Sequence, residues 1–427
     1  MSLRAILTGA AIAAALTAPP AGQPAAPSRA FTGLRLIDGT NGAPIANATI
    51  VVRDGRIVTA GPAARVAIPR DAERVSLAGK TVMPGLVNAH GHVGDTDGLE
   101  GNHYSGANVL RDLRLYAAYG VTTVVSLGGD EAPSFAARDS QRTAPLDRAR
   151  LFVAGPVLSP RTPQEARQLV DEDVRLKVDI VKIRVDDNLG TTPKMPPEIY
   201  RAVIDQAHAR GLRVAVHLFY LADAKLLLDA GADFIAHSIR DTDVDAPVIA
   251  ALKARDVCVC PTLTRELSTF VYASTPAFFS DAFFLKHADP KVVAALEEPA
   301  RQDAMRTSVA AARYKAGLEV ASRNLKTLSD AGVTIAMGTD TGPPARFQGY
   351  FEQLELEMMA KAGLTPRQVL AAATRDAARC MKIDKEVGTI EAGKWADFLV
   401  LNADPLVDIK NTRAIDSVWI AGSRYKD

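Results

Sequence analysis

Eight short apolar runs that alternate with helical stretches constrain the fold of this chain more than any other feature. They lie at 85–90, 121–127, 151–154, 179–185, 213–218, 234–237, 257–260 and 334–337. Each is nearly continuous in apolar residues, as a parallel strand covered on both faces must be. Helical segments such as 197–210 and 222–230 lie between them, closed by Gly211 and Gly231 as C-cap glycines. Eight β-α alternations over about 250 residues or more predict an α/β fold, a (β/α)8 TIM barrel. The long connection from Pro261 to Ala331 carries helical patterns of its own and is expected to fold over the barrel mouth.

The first run ends in a His-x-His, His90 and His92. Side chains alternate along a strand, so both imidazoles project the same way from its C-terminal end, where a parallel barrel keeps its active site. Two neutral imidazoles converging on one point suit a first-row divalent metal. Other candidate ligands share that address. Lys182 interrupts the otherwise apolar fourth run, His217 ends the fifth, His237 ends the sixth, and Asp340 follows the eighth. Taken singly, Lys182 would read as a snorkelling lysine and Asp340 as a turn residue. Their convergence on one barrel face makes them a site. His208, on a helix, and His287, in the long connection, fall outside it; His103, in a polar loop after the first run, is a candidate for contact with substrate.

The chain ends differ in texture. From Gly33 to Ala78 short alternating strands are broken by Gly and Asn turns, and Asp54-Gly55 is a hairpin signal. The C-terminal segments 397–401 and 417–422 look alike, and neither end can bury a core alone. The expected organisation is therefore a small β-sandwich from both ends (28–83 and 385–427) around a barrel at 84–384. Residues 1–27, with Arg4 ahead of a short apolar run and then Ala and Pro, read as a secretory signal peptide and flexible segment. Export to the periplasm or medium is expected. The apolar run is too short to span a bilayer, and no Cys follows it for a lipid anchor, so no stable membrane anchor is expected. Fifty Lys and Arg against 49 Asp and Glu, with no basic cluster, give no electrostatic footprint for nucleic acid. Cys258, Cys260 and Cys380 are expected to be buried apolar fillers. Composition leaves room for a homo-oligomer.

The segment Met83-Pro84-Gly85-Leu86-Val87-Asn88-Ala89-His90-Gly91-His92 resembles the opening motif of the amidohydrolase superfamily, and Gly388-Thr389-Ile390-Glu391-Ala392-Gly393-Lys394-Trp395-Ala396-Asp397-Phe398 resembles its closing one. The lysine of the fourth run makes the chain similar to the binuclear, imidazolonepropionase-like branch that includes prolidase-like dipeptidases. This resemblance implies two divalent metal ions, most readily zinc. His90, His92 and Asp340 would hold the first and His217 and His237 the second, with a carbamylated Lys182 bridging them. It also implies hydrolysis by a hydroxide held between the metals, with Asp340 moving the proton to the leaving nitrogen.

For the small-molecule substrate, Arg184 shares the inward parity of Lys182 and is a candidate carboxylate clamp, with an ion pair to Asp186 or Asp241 as its competing role. Tyr220, three residues after His217, is placed to bond the scissile carbonyl oxygen. The expected activity is hydrolysis of amide bonds in small peptides or N-acyl amino acids. Lactone, ester or phosphotriester hydrolysis on the same site, and a barrel scaffold without catalysis, are the competing readings.

Overall fold

A computed structural model of the protein describes residues 28–426, so the expected signal peptide lies outside the described residues. Seven of the eight apolar runs form strands: Leu86–Gly91, Val121–Ser126, Arg150–Val153, Val181–Arg184, Val214–His217, Phe234–Ile235 and Cys258–Val259. The first three make one parallel sheet. The other four make a second, joined at its edge by Val157–Leu158, a two-residue strand too short to register as a sequence pattern. The eighth run forms only an isolated parallel bridge, Val259 to Ile335, and the segment after it forms another, Gly91 to Thr341. Backbone bonds from Ala336 N to Val259 O and from Ala89 N to Met337 O nevertheless tie it to an edge strand of each sheet. Its ladder stops because the backbone turns left-handed at Asp340 (φ 57°).

Helices cover these strands as the sequence pattern predicts. Pro197–Ala209 is followed by Gly211 at φ 76°, and Leu221–Ala230 closes on Gly231 at φ 108°, a conformation that glycine adopts without a Cβ penalty. The long connection holds the helices Leu263–Ser268, Ala282–Leu285, Pro290–Leu296, Pro299–Arg306 and Val309–Asp330. Part of it packs as a separate aromatic cluster in which Tyr272, Phe279 and Phe284 meet Tyr350 and Phe351.

Both chain ends enter one eight-stranded sheet. Thr81–Pro84 pairs antiparallel with Phe398–Leu401, joining the N-terminal strands to the C-terminal ones. Asp54 and Gly55 (φ 51° and 75°) connect Ile45–Arg53 to Arg56–Pro62 as the expected hairpin turn. The sheet buries its own apolar cluster, centred on Phe31 edge-on to Phe398 and Trp419. A buried ion pair, Arg150 Nε to Asp397 Oδ2 at 2.6 Å, fastens it to the three-stranded parallel sheet. Breaking such a pair one-sidedly would strand a buried charge. Among the described residues no helix is long and apolar enough to cross a membrane.

The cysteines correct the sequence expectation. Cys258 and Cys380 form a disulfide across 122 residues, tying a parallel strand to the helix Arg375–Cys380, and only Cys260 is a buried free thiol. Spacing could not reveal the partner, because strand and helix meet only in the folded chain. Closing so long a loop restricts the unfolded ensemble, worth roughly 2–5 kcal/mol. The double variant Cys258→Ser/Cys380→Ser should therefore melt at a lower temperature than the parent. Reductant should lower the parent's Tm and leave that of the double variant unchanged.

Candidate metal centre

The site is assembled where the segment 337–341 runs beside Leu86–Gly91. Thr339 N and Asp340 N both donate to His90 O, and His92 N donates to Thr341 O. Two glycines permit this approach. A Cβ on Gly338 would fall 2.5 Å from Cys260 Sγ and 2.8 Å from His90 N, and one on Gly342 would fall 2.5 Å from His92 O. The buried Glu352 carboxylate fixes the register by accepting from Asn88 Nδ2, Thr339 Oγ1 and Thr341 Oγ1 at 2.5–2.6 Å. Asn88 Oδ1 in turn accepts from His90 N.

Each of the four histidines has one ring nitrogen held by a group outside the expected ligand set. His90 Nδ1 meets Ala236 O, His92 Nδ1 meets Gly128 O, and His237 Nδ1 meets Thr262 Oγ1. His217 is held instead through Nε2, by Asp186 Oδ2 at 2.6 Å. Such partners fix both ring orientation and the nitrogen left to ligate. The rings form a chain, with centroids 5.4 Å apart from His92 to His90, 4.6 Å from His90 to His237 and 4.2 Å from His237 to His217. Burial pushes His90 and His237 well below the usual histidine range and His217 to about 3, so these imidazoles are neutral, the form that binds a metal.

His90, His92 and Asp340 place one donor atom each within 4.8 Å of one another, a set that fits a divalent cation. Asp340 Oδ1 lies 2.9 Å from His92 Nε2 and 3.5 Å from His90 Nε2. Burial alone would raise its pKa, but Arg346 at 2.5 Å and the two imidazoles outweigh that and hold the carboxylate ionised. Lys182 is buried, and its Nζ has no hydrogen-bond partner among the described residues. Burial brings its pKa down to about 8, within electrostatic reach of Asp340, His90, His217 and His237.

The six expected ligands are therefore gathered in one place, and the three expected substrate contacts each have protein partners of their own. Arg184 has the parity foreseen, since it pairs in register with His217, but its guanidinium is 42% exposed and is committed to Asp186 Oδ1 at 2.9 Å and Asn188. The ion pair named as its competing role is the one present. Tyr220 donates to Asp187 Oδ1 at 2.8 Å, and Lys194 Nζ sits 4.0 Å above its ring. His103 is exposed, 3.5 Å from Glu100.

Several site residues escaped the sequence reading. Asp186 was visible only as an acid after the fourth run, and Thr262 only as a residue after Pro261. Arg265-Glu266 is a charged pair opening a buried helix, a signal that could have been read. Arg346 comes from the loop after Asp340, with no pattern to announce its turn back.

Comparison with known proteins agrees with this geometry. The amidohydrolase family profile matches residues 81–424. An imidazolonepropionase of Deinococcus deserti is 26% identical over 395 residues, covering 88% of this chain and 92% of that protein. An ochratoxinase of Aspergillus niger is 24% identical over 454 residues, covering 93% and 86%. In structure, a putative prolidase from Bifidobacterium longum superposes with a TM-score of 0.75 at 26% identity, covering 95% of this chain and 96% of that one. Its mixed α/β architecture with parallel sheets is thus shared with proteins of that family. Matched by that family's profile from residue 81, ahead of His90 and His92, to residue 424 in the returning C-terminal strands, this chain belongs to the amidohydrolase family.

Proposed function

We propose that this protein is an exported hydrolase that uses two divalent metal ions to cleave carbon–nitrogen amide bonds in small peptides or N-acyl amino acids. The observation that carries this reading is the set of four imidazoles, each with one ring nitrogen held from outside the donor set, around a buried lysine whose amine has no hydrogen-bond partner among the described residues. Three donors suffice for one ion. His217 Nδ1 and His237 Nε2, left over beside the first set, suit a second. A lysine brought to a pKa of about 8 by burial exposes a neutral amine that can capture carbon dioxide, and the resulting carbamate supplies the anion between two cations. The architecture goes with this reading: a (β/α)8 barrel whose last strand is the bridged segment 334–341, flanked by a β-sandwich domain from the chain ends. The disulfide suits export, since such bonds persist in oxidising compartments.

When bound, the metals supply a nucleophile at neutral pH and polarise the scissile carbonyl. The protein's own work is positional and acid–base. Asp340, ionised at rest, accepts a proton on a carboxylate oxygen and returns it to the departing nitrogen. Arg346 keeps that carboxylate ionised and aimed. Imidazolonepropionase and ochratoxinase, the names carried by relatives matching most of the chain, support a carbon–nitrogen target over a lactone or phosphotriester.

The metal-loaded protein should release amine from a panel of N-acyl amino acids and dipeptides, lose that activity on chelation and regain it with zinc. Turnover of a lactone panel with no turnover of any amide would replace this reading with the ester one. Lys182→Ala should lower kcat/KM by roughly 100-fold or more, with metal lost, and a short carboxylic acid at high concentration should restore part of both. Reloading of metal-stripped protein with zinc and bicarbonate should be faster at pH 9 than at pH 7, because the amine is neutral only above about 8. Full activity in Lys182→Arg would contradict the bridging role.

A further inference from the structure

With Arg184 engaged by Asp186, recognition of a substrate carboxylate needs another cation; Arg346 and Arg265 stand beside Asp340, and Arg240 shares Glu266 with Arg265. Arg346 is bonded to Asp340 Oδ2 and to Ser268 Oγ. Arg240 lies 2.9 Å from Glu266 Oε1, donates to Leu218 O and Ser238 O, and packs over Phe219. Arg265 donates through Nη1 to both oxygens of Glu266, at 3.0 and 3.1 Å, and packs 4.5 Å over the ring of Tyr314. Glu266 and Asp340 pair with these three cations, and Asp340 is also one of the expected metal donors.

Arg265 is distinguished by where its unpartnered donor lies: Arg240 also leaves Nε and Nη2 without a hydrogen-bond partner among the described residues, but its ion pair is with Glu266, whereas the Nε of Arg265 reaches Asp340. The side chain is 8% exposed and its Nε lies 3.9 Å from Asp340 Oδ2, yet that N–H has no hydrogen-bond partner among the described residues. A buried guanidinium N–H without an acceptor is costly, and sites that leave one are built to receive an anion. The spacing is chemically specific. In an α-amino acid the carboxylate is two bonds from the nitrogen, so a leaving nitrogen against Asp340 brings a carboxylate oxygen within reach of a donor next to Asp340. Tyr314 and Phe219, 6.2 Å apart and covering Arg265 and Arg240, present an apolar wall next to that point.

We propose that Arg265, through its Nε–H, is the specificity-determining residue that reads the free α-carboxylate of the leaving amino acid. The proposal rests on the amide-hydrolase reading above and names the residue that selects its substrate.

The test compares acetate release from N-acetyl-L-phenylalanine and from N-acetyl-L-phenylalaninamide, using the zinc-loaded parent, Arg265→Met and Arg265→Lys. The parent should strongly prefer the acid. Arg265→Met should lower kcat/KM for the acid about 10- to 150-fold, mainly through KM, and change the amide little. Arg265→Lys should recover part of the loss. Equal losses on both substrates, or a parent indifferent to the carboxylate, would overturn the assignment and leave Arg265 a structural partner of Glu266.

Calorimetry of L-phenylalanine against L-phenylalaninol on the same zinc-loaded proteins separates this result from failure of the hydrolase reading. A preference for L-phenylalanine that disappears in Arg265→Met supports the carboxylate site even if no amide is cleaved, and that outcome overturns the amide chemistry alone. Equal binding of the two ligands by the parent overturns the carboxylate site.

Discussion

The alignment of the His90 strand with the Asp340 segment depends on the buried Glu352 carboxylate and the three donors it collects. Asn88 comes from the strand that carries His90, and Thr339 and Thr341 flank Asp340. One side chain therefore sets the relative position of two chain segments some 250 residues apart in sequence. The same contact stabilises a left-handed aspartate, a conformation that costs a non-glycine residue about 1–3 kcal/mol and persists only where its surroundings impose it. Hydrogen bonds to a charged acceptor in a buried setting are the strong kind, so the strain and the network that offsets it belong together.

The second constraint is electrostatic. Four imidazoles and a lysine packed close together would repel one another if protonated, and burial eases that by lowering the pKa of His90, His217, His237 and Lys182. In each ring the nitrogen turned toward the donor set is chosen by whichever group holds the opposite one. His217 is the exception in this set, held through Nε2 where the other three are held through Nδ1. Asp186, which holds it, is kept ionised by His217 and Arg184 against a burial that would raise it. Arg184 thus acts on the site through Asp186, and its exposed position at a strand end is where such a counter-charge is least expensive to solvate.

Much of this is legible in the sequence, for reasons that can be named. Period-two alternation and apolar runs identified the strands that carry His90, His92, Lys182 and His217, because buried parallel strands impose that composition directly. The 334–337 run was recognised as apolar, but the glycine and the left-handed aspartate beyond it limit the segment to single bridges, which pattern cannot foresee. Strand parity placed Arg184 on the inward face correctly and could not say that Asp186, two residues on, would capture its guanidinium. Tyr220 and Arg346 show the same limit from opposite sides: loop geometry took the first away to Asp187 and brought the second in to Asp340. The Cys258–Cys380 bond was hidden because only the tertiary structure brings strand and helix together.

The central claim is that Lys182, the four histidines and Asp340 form one centre for two ions. Elemental analysis of protein loaded with zinc and bicarbonate and then freed of excess metal tests it most directly. The account predicts two zinc ions per chain in the parent and one or fewer in the double variant His217→Ala/His237→Ala. A single ion per chain in the parent, unchanged in that double variant, would contradict it.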